Sequence, residues 1–149
     1  MNNTIQKAYK ILGVHTELII QNYADRIVVI LTQLNKPGTI ISAEKDASND
    51  PYSESYTVDP LFGKRADQES IPLEQIIARQ VIEKVTKHRK SGPIPILITI
   101  GLEKQFESTI QADFATSQSF VKSITNIIQE HVLSLQPISI QTNIEQPIL

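Results

Sequence analysis

Apolar residues in the first third of the chain fall into three short runs that predict β-strands. The first run lies in Thr16–Asn22. The second, Arg26–Leu34, contains the branched run Ile27–Leu31 and therefore favours a strand that is covered on both faces. The third is Thr39–Glu44. Because short polar turns join these strands, they predict two successive antiparallel hairpins.

The connections around these strands carry proline and glycine signals. The Pro-Gly pair that ends Asn35–Gly38 predicts a type II turn, because proline presets φ and glycine tolerates a positive φ. The polar stretch Lys45–Tyr56 predicts a mobile loop. Ser55–Phe62 predicts a fourth strand, which Pro60 restricts to a sheet edge or a bulge because proline lacks an N–H donor.

Two later segments have the spacing of amphipathic helices. Apolar residues recur every four positions between residues 73 and 85 and predict a first helix. This helix begins at Ser70 or Ile71 and ends near Lys90. A second helix is predicted over Ser117–Leu135, before the proline at position 137.

The segments around the second helix have weaker patterns. Ile94–Leu102 alternates and predicts a further strand. Glu103–Ser119 has three apolar residues spaced by four, so a short helix is an open alternative to a loop there. The tail Ile138–Leu149 either adds an edge strand or is mobile.

These elements together predict a single α+β domain over residues 1–149. Its fold class is an antiparallel β-sheet meander of about six strands with two packed α-helices. The termini, residues 1–12 and 137–149, are expected to be mobile.

The amino-acid composition argues against several classes of function. The chain has no cysteine, which excludes disulfides, thiolate metal sites and cysteine nucleophiles. A net charge of −2 argues against nucleic acid as a partner, since phosphate backbones are held by excess positive charge. No apolar run is long enough for a membrane span or a secretory segment. We therefore expect a soluble protein of the cytoplasm, with the nucleus as a second compartment.

The sequence offers no set of residues suited to catalysis or to a cofactor. His15, His88 and His131 lack a second ligand at metal spacing, and no P-loop or nucleophile elbow is present. We therefore predict no catalytic, metal-binding or cofactor-binding residues. An enzyme that uses an isolated carboxylate is the weakest alternative.

One basic cluster lies at the end of the first predicted helix. It consists of Lys84, Lys87, Arg89 and Lys90. Cations at a helix C-terminus are most simply explained by the macrodipole, whose negative end they stabilise. The alternative is a docking patch for an acidic protein surface.

The first three strands carry a family resemblance. Their sequence resembles the proteasome assembly chaperone 3 family in the following positions: Gly13-Val14, Thr16, Val28–Leu31, Thr32-Gln33, Lys36-x-Gly38-Thr39 and Ile40-Ile41-Ser42-x-Glu44. The later order of loop, strand, helix, strand and helix is similar as well. Phe106–Ser119 looks like an insertion relative to that family, and Gln136–Leu149 extends beyond its usual end.

The resemblance implies a chaperone that is not an enzyme. Members of that family work as dimers, either with a proteasome assembly chaperone 4-like subunit or with themselves. They hold α-type subunits while the α-ring of the 20S proteasome forms, and need no cofactor, nucleic acid or membrane. An unrelated small dimeric protein-binding scaffold is the alternative function.

The second predicted helix offers the most apolar surface for dimer formation. We expect its stripe to lie at or near the dimer contact, through Phe120, Ile124, Ile127 and Ile128. Replacing Ile124 and Ile128 with aspartate would then give folded monomers.

Overall fold

The computed structural model describes residues 3–47, 52, 54–64 and 71–135. These residues form six strands and three helices. Their order along the chain is β1 (Thr4–Ile11), β2 (Val14–Asn22), β3 (Ile27–Thr32), β4 (Thr39–Lys45), β5 (Tyr56–Phe62), α1 (Leu73–His88), β6 (Ile96–Gly101), α2 (Lys104–Gln111) and α3 (Phe114–Leu133).

The six strands form one mixed sheet in the order β1-β2-β3-β6-β4-β5. β6 runs parallel to β3 and antiparallel to β4, and the other neighbours are antiparallel. The predicted antiparallel meander with two helices is therefore wrong. The hairpin of β2 and β3 is confirmed, whereas β3 and β4 do not pair because β6 lies between them.

The connection from β3 to β4 crosses the C-terminal end of β6. Gly38 does not have a positive φ, so the predicted type II turn is wrong; the left-handed residue of this connection is Asn35, with φ 55°. A Cβ on Gly38 would lie 2.2 Å from the carbonyl oxygen of Ile100. The glycine is therefore needed for close backbone approach to β6 and not for a reversed turn.

Three helices form where two were predicted. α1 confirms the first predicted helix, with its last turn at Lys87 and His88. α2 lies in the segment for which a short helix was the open alternative, and α3 starts at Phe114, three residues before the predicted start at Ser117. α2 is fixed by Phe106, whose ring packs edge-on against Phe120 with centroids 5.3 Å apart.

All three helices pack against one face of the sheet. That face presents alternate residues of the strands, which are fully buried in the central strands; examples are Leu18, Val29 and Ile98. α1 packs on β4, β5 and β6 and against α3, and α3 packs against α2. The main core is therefore a single layer between the sheet and the helices.

The two sheet edges differ from each other. β5 is an edge strand with a register shift opposite Pro60, which confirms the predicted position of this proline. β1 forms the other edge, although residues 1–12 were expected to be mobile. The predicted loop Lys45–Tyr56 begins and ends in β4 and β5; its residues 48–51 and 53, and the tail 137–149, lie outside the described residues.

Candidate functional site

The face of the sheet opposite the helices is apolar at its centre. Because paired residues point to the same side, the strand registers place five aliphatic residues together on this face. We call them the open sheet face: Ile19, Val28, Ile30, Ile40 and Leu97. Each is half-buried, and Ile30 lies beside Ile19 on one neighbouring strand and Thr99 on the other.

Polar residues lie on both margins of the open sheet face, and the exposed Phe62 lies beside Ile40 at the β5 edge. Gln6 and Glu17 lie towards the β1 edge, and Ser42 and Asp59 lie towards the β5 edge. Within the described part of the chain, no helix packs on this face, and its five aliphatic residues are not part of the core cluster. An apolar centre with a polar rim is the usual arrangement of a protein–protein interface.

The structure places the predicted dimer contact of α3 mostly inside the molecule. Phe120, Ile124 and Ile128 are at most 5 % exposed and belong to the core of the single chain. Ile127 is half-buried and lines a surface cavity of about 510 Å³ with Ile11. The dimer contact on α3 stays a prediction, and three of its four side chains are already packed against their own chain.

The predicted basic cluster at the end of α1 is largely engaged within the chain. Lys87 lies 2.9 Å from Glu83, and this hydrogen bond is the main reason why its pKa is above the usual lysine value. Arg89 donates to the backbone oxygen of Gly92 at 2.7 Å. Lys84 donates to the side-chain oxygen of Asn126 on α3 at 3.3 Å. These contacts engage three of the four cations within the chain; the docking role of Lys84, Lys87, Arg89 and Lys90 stays a prediction.

Two buried carboxylates meet one lysine beside the first turn of α1. Lys64 forms ion pairs with Glu74, at 3.2 Å, and with Glu107 of α2. The side chains of Glu74 and Glu107 are only 2 % and 10 % exposed. Burial opposes the charged lysine, but its hydrogen bonds and charge interactions with both carboxylates prevail, and the pKa of Lys64 is raised. The cluster ties β5, α1 and α2 together.

A polar contact joins the edge strand β1 to α3. The hydroxyl of Tyr9 lies 2.8 Å from Nε2 of His131. Burial and the nearby negative charge of Glu130 raise the pKa of Tyr9. The hydroxyl therefore stays protonated at neutral pH and able to hold α3 against the edge of the sheet.

The described residues contain no group of three or more histidine, cysteine or acidic residues that could hold a metal ion. None of the helices in the described part is long and apolar enough to span a membrane.

Sequence reasoning missed the open sheet face, although a signal for it was present. The unbroken branched run Ile27–Leu31 predicted a strand covered on both faces, but the described chain covers only one face of β3 and leaves Val28 and Ile30 half-buried on the other. The small number of helices was a second signal. Because all of them are needed to cover one face of the sheet, the other face is left open. The Lys64 cluster gave no signal, since Glu107 lies 43 residues after Lys64 and no local pattern joins them.

Comparisons with known proteins agree on one family. Residues 29–131 match the family Proteasome assembly chaperone 3. A protein of that name from Nematostella vectensis is 29 % identical over 106 residues, which cover 66 % of this chain and 73 % of the relative. The namesake from Bos taurus is 26 % identical over 108 residues, which cover 72 % of this chain and 83 % of the relative.

A solved structure shares the fold. It is a chain from the crystal structure of a novel chaperone complex for yeast 20S proteasome assembly, with a TM-score of 0.52 and 17 % identity. The likeness covers 84 % of this chain and 98 % of the yeast one. The family match spans more than two thirds of the sequence and extends far past the strands that first suggested it. The chain belongs to the proteasome assembly chaperone 3 family.

Proposed function

We propose that this chain promotes assembly of the α-ring of the 20S proteasome by binding α-type subunits, and that it does so without catalysis. The observation that carries the proposal is the family match over residues 29–131. The related proteins are named as assembly chaperones, and the structural neighbour comes from a complex for 20S proteasome assembly. The alternative of an unrelated scaffold has no support, because the chain belongs to this family.

The working form in this proposal is a dimer, with a chaperone 4-like subunit or with a second copy of the chain. The open sheet face supports it, because a flat aliphatic surface is best covered by a similar surface. Two sheets pack face to face about 10 Å apart, with their side chains interdigitated. The rim residues Gln6, Glu17 and Asp59 would then form the polar margin of the interface.

We propose the sheet and not α3 as the dimer surface because most of the apolar side chains of α3 are buried in their own chain. Ile124 and Ile128 would have to leave the core to meet a partner, whereas Ile30 and Leu97 are already at the surface. In this arrangement the helices point outwards and remain accessible for α-type subunits. We propose the cytoplasm, with the nucleus as a second compartment, as the place of this activity.

Reconstitution with purified α-type subunits of the same organism tests the function. The chain is mixed with the set of α-type subunits, with and without its chaperone 4-like subunit, and the products are separated by native electrophoresis and identified by mass spectrometry. We expect faster formation of α-rings and a stable complex with at least one α-type subunit. Equal rates with and without the chain, and no complex with any α-type subunit, would overturn the proposal.

A further inference from the structure

A groove on the outer side of the helices combines exposed apolar side chains with two lysines. It runs between α1 and α3 and has a volume of about 520 Å³. Leu73 and Val121 form its buried floor, and Ile76 and Phe114 form its exposed walls. We call it the α1–α3 groove.

The apolar walls of the α1–α3 groove are exposed to solvent. The side chain of Phe114 is 76 % exposed and that of Ile76 is 37 % exposed. Ile76 also lines a neighbouring cavity of about 350 Å³ on the other side of α1, which contains the exposed Ile71. A contiguous exposed apolar patch of this kind is typical of a protein-binding surface.

The charge of the groove has one sign. Lys84 and Lys122 line it, whereas none of its lining residues is acidic. Arg79 lines the neighbouring cavity, but it is paired with Glu83 at 3.0 Å and lies over the ring of Tyr56, so the positive charge offered to a partner comes from Lys84 and Lys122. Asp113, which directly precedes α3, accepts a hydrogen bond from Thr116 at 2.6 Å and does not line the groove. The chain as a whole carries a net charge of −2, so this positive surface is a local feature.

We infer that the α1–α3 groove binds a segment of an α-type subunit in which apolar side chains are flanked by carboxylates. The apolar side chains pack between Ile76 and Phe114, and the carboxylates pair with Lys84 and Lys122. This inference rests on the proposed function and names the surface that the partner uses. It also agrees with the dimer on the opposite side of the molecule, because the two surfaces do not compete.

Charge reversal in the groove tests this inference. Binding of the purified dimer to each α-type subunit is measured by surface plasmon resonance at low and high salt. We expect Lys84→Glu combined with Lys122→Glu to slow association about tenfold or more at low salt and to remove most of its salt dependence. Phe114→Ser should instead accelerate dissociation, because it removes an apolar contact that forms after the encounter.

A matched control adds the same charges elsewhere. Lys7→Glu combined with Lys36→Glu changes two exposed lysines outside the groove and should leave both rates within about twofold of the wild type. If charge reversal in the groove disturbs folding, the milder Lys122→Ala replaces it and should reduce association in the same direction.

The outcomes separate the two proposals. If the wild-type dimer binds an α-type subunit and the groove variants bind it equally well, the groove inference is wrong and the proposed function stands. If the wild-type dimer binds no α-type subunit at all, the proposed function itself fails. Weaker binding of the groove variants, with the control unchanged and the dimer intact in size-exclusion chromatography, supports the groove.

Discussion

Gly38 is the residue at which the chain crosses from β3 to β4 over the end of β6. A methyl group there would meet backbone atoms, with 2.5 Å to the Cα of Gly101 and less to Ile100. Backbone atoms cannot rotate away as a flexible side chain can. The position therefore depends on space alone, because the φ of Gly38 is accessible to other residues.

Gly38→Ala should therefore lower the free energy of unfolding by about 3 kcal/mol, the upper part of the range for overpacking. Gly13→Ala is the matched control. Gly13 has φ 81°, but a Cβ there meets nothing within 4 Å, so only the conformational cost of about 1–2 kcal/mol remains. Urea denaturation of both variants measures the difference. Equal losses would show that the crossing at β6 is not tightly packed.

Lys64 pairs with two carboxylates that have little access to water, those of Glu74 and Glu107. One oxygen of Glu74 is buried without any hydrogen-bond partner among the described residues, so the site tolerates no further loss of donors. Lys64→Met should reduce the free energy of unfolding by about 1–3 kcal/mol, because it leaves buried acceptors unpaired. Lys7→Met, at an exposed lysine, should change it by less than about 0.5 kcal/mol.

The difference in stability between the wild type and Lys64→Met should also depend on pH, and the direction follows from the pKa of Lys64. The pKa of Lys64 is higher in the folded than in the unfolded chain, so its contribution is complete below the ordinary lysine value of 10.5 and is lost as the pH rises through the folded value. The difference in unfolding free energy between wild type and Lys64→Met should therefore shrink at alkaline pH. A difference that stays constant there would contradict the ion-pair explanation.

At the scale of an element, α3 shows how a helix divides its apolar residues between the core and the surface. Ile128 is fully buried, whereas its neighbour Ile127 is half-buried at a surface cavity. Both residues are isoleucines in the same helix, so helix propensity affects their replacement by alanine equally.

Ile128→Ala should therefore lower the free energy of unfolding by about 2–5 kcal/mol, because it leaves a cavity in the core. Ile127→Ala should cost about 1 kcal/mol, in proportion to its smaller burial. Thermal and urea denaturation check both values. For the same reason, aspartate at Ile124 and Ile128 should unfold the chain instead of giving folded monomers; a folded variant with normal circular dichroism would contradict this packing.

The helices and strands with the most regular apolar spacing were predicted best from the sequence. α1 has a regular apolar stripe and was found with its ends within about three residues. α2 is short and rich in polar residues, so its helical state depends on the contact of Phe106 with Phe120. That contact joins two helices, and no local pattern reports it.

At the scale of the whole molecule, the two faces of the sheet have different neighbours. The helices cover one face, and the described residues leave the aliphatic residues of the open sheet face to solvent. Ile30 lies at the centre of this face, between β2 and β6. A charge there should be tolerated in a monomer, because its side chain points to solvent, but not within a sheet-to-sheet interface.

Ile30→Asp should therefore convert the proposed dimer into folded monomers, and light scattering with size-exclusion chromatography measures this. Gln6→Asp places the same charge at the rim of the same face and should leave the dimer intact. If Ile30→Asp weakens the strand too far, Ile30→Thr keeps the branched side chain and should still shift the equilibrium towards monomer. A folded Ile30→Asp variant that elutes as a dimer would exclude the open sheet face as the interface.

The sequence by itself determined the strands that have strong apolar runs, the first helix, the edge position of Pro60 and the family. These features depend on neighbours within about ten residues or on a local pattern that relatives share. Only the tertiary structure decided that β6 separates β3 from β4, that the helices share one face and that Lys64 joins Glu74 and Glu107. Each of these depends on contacts between distant segments, which are chosen by the burial of the whole chain and leave no periodic trace in any one segment.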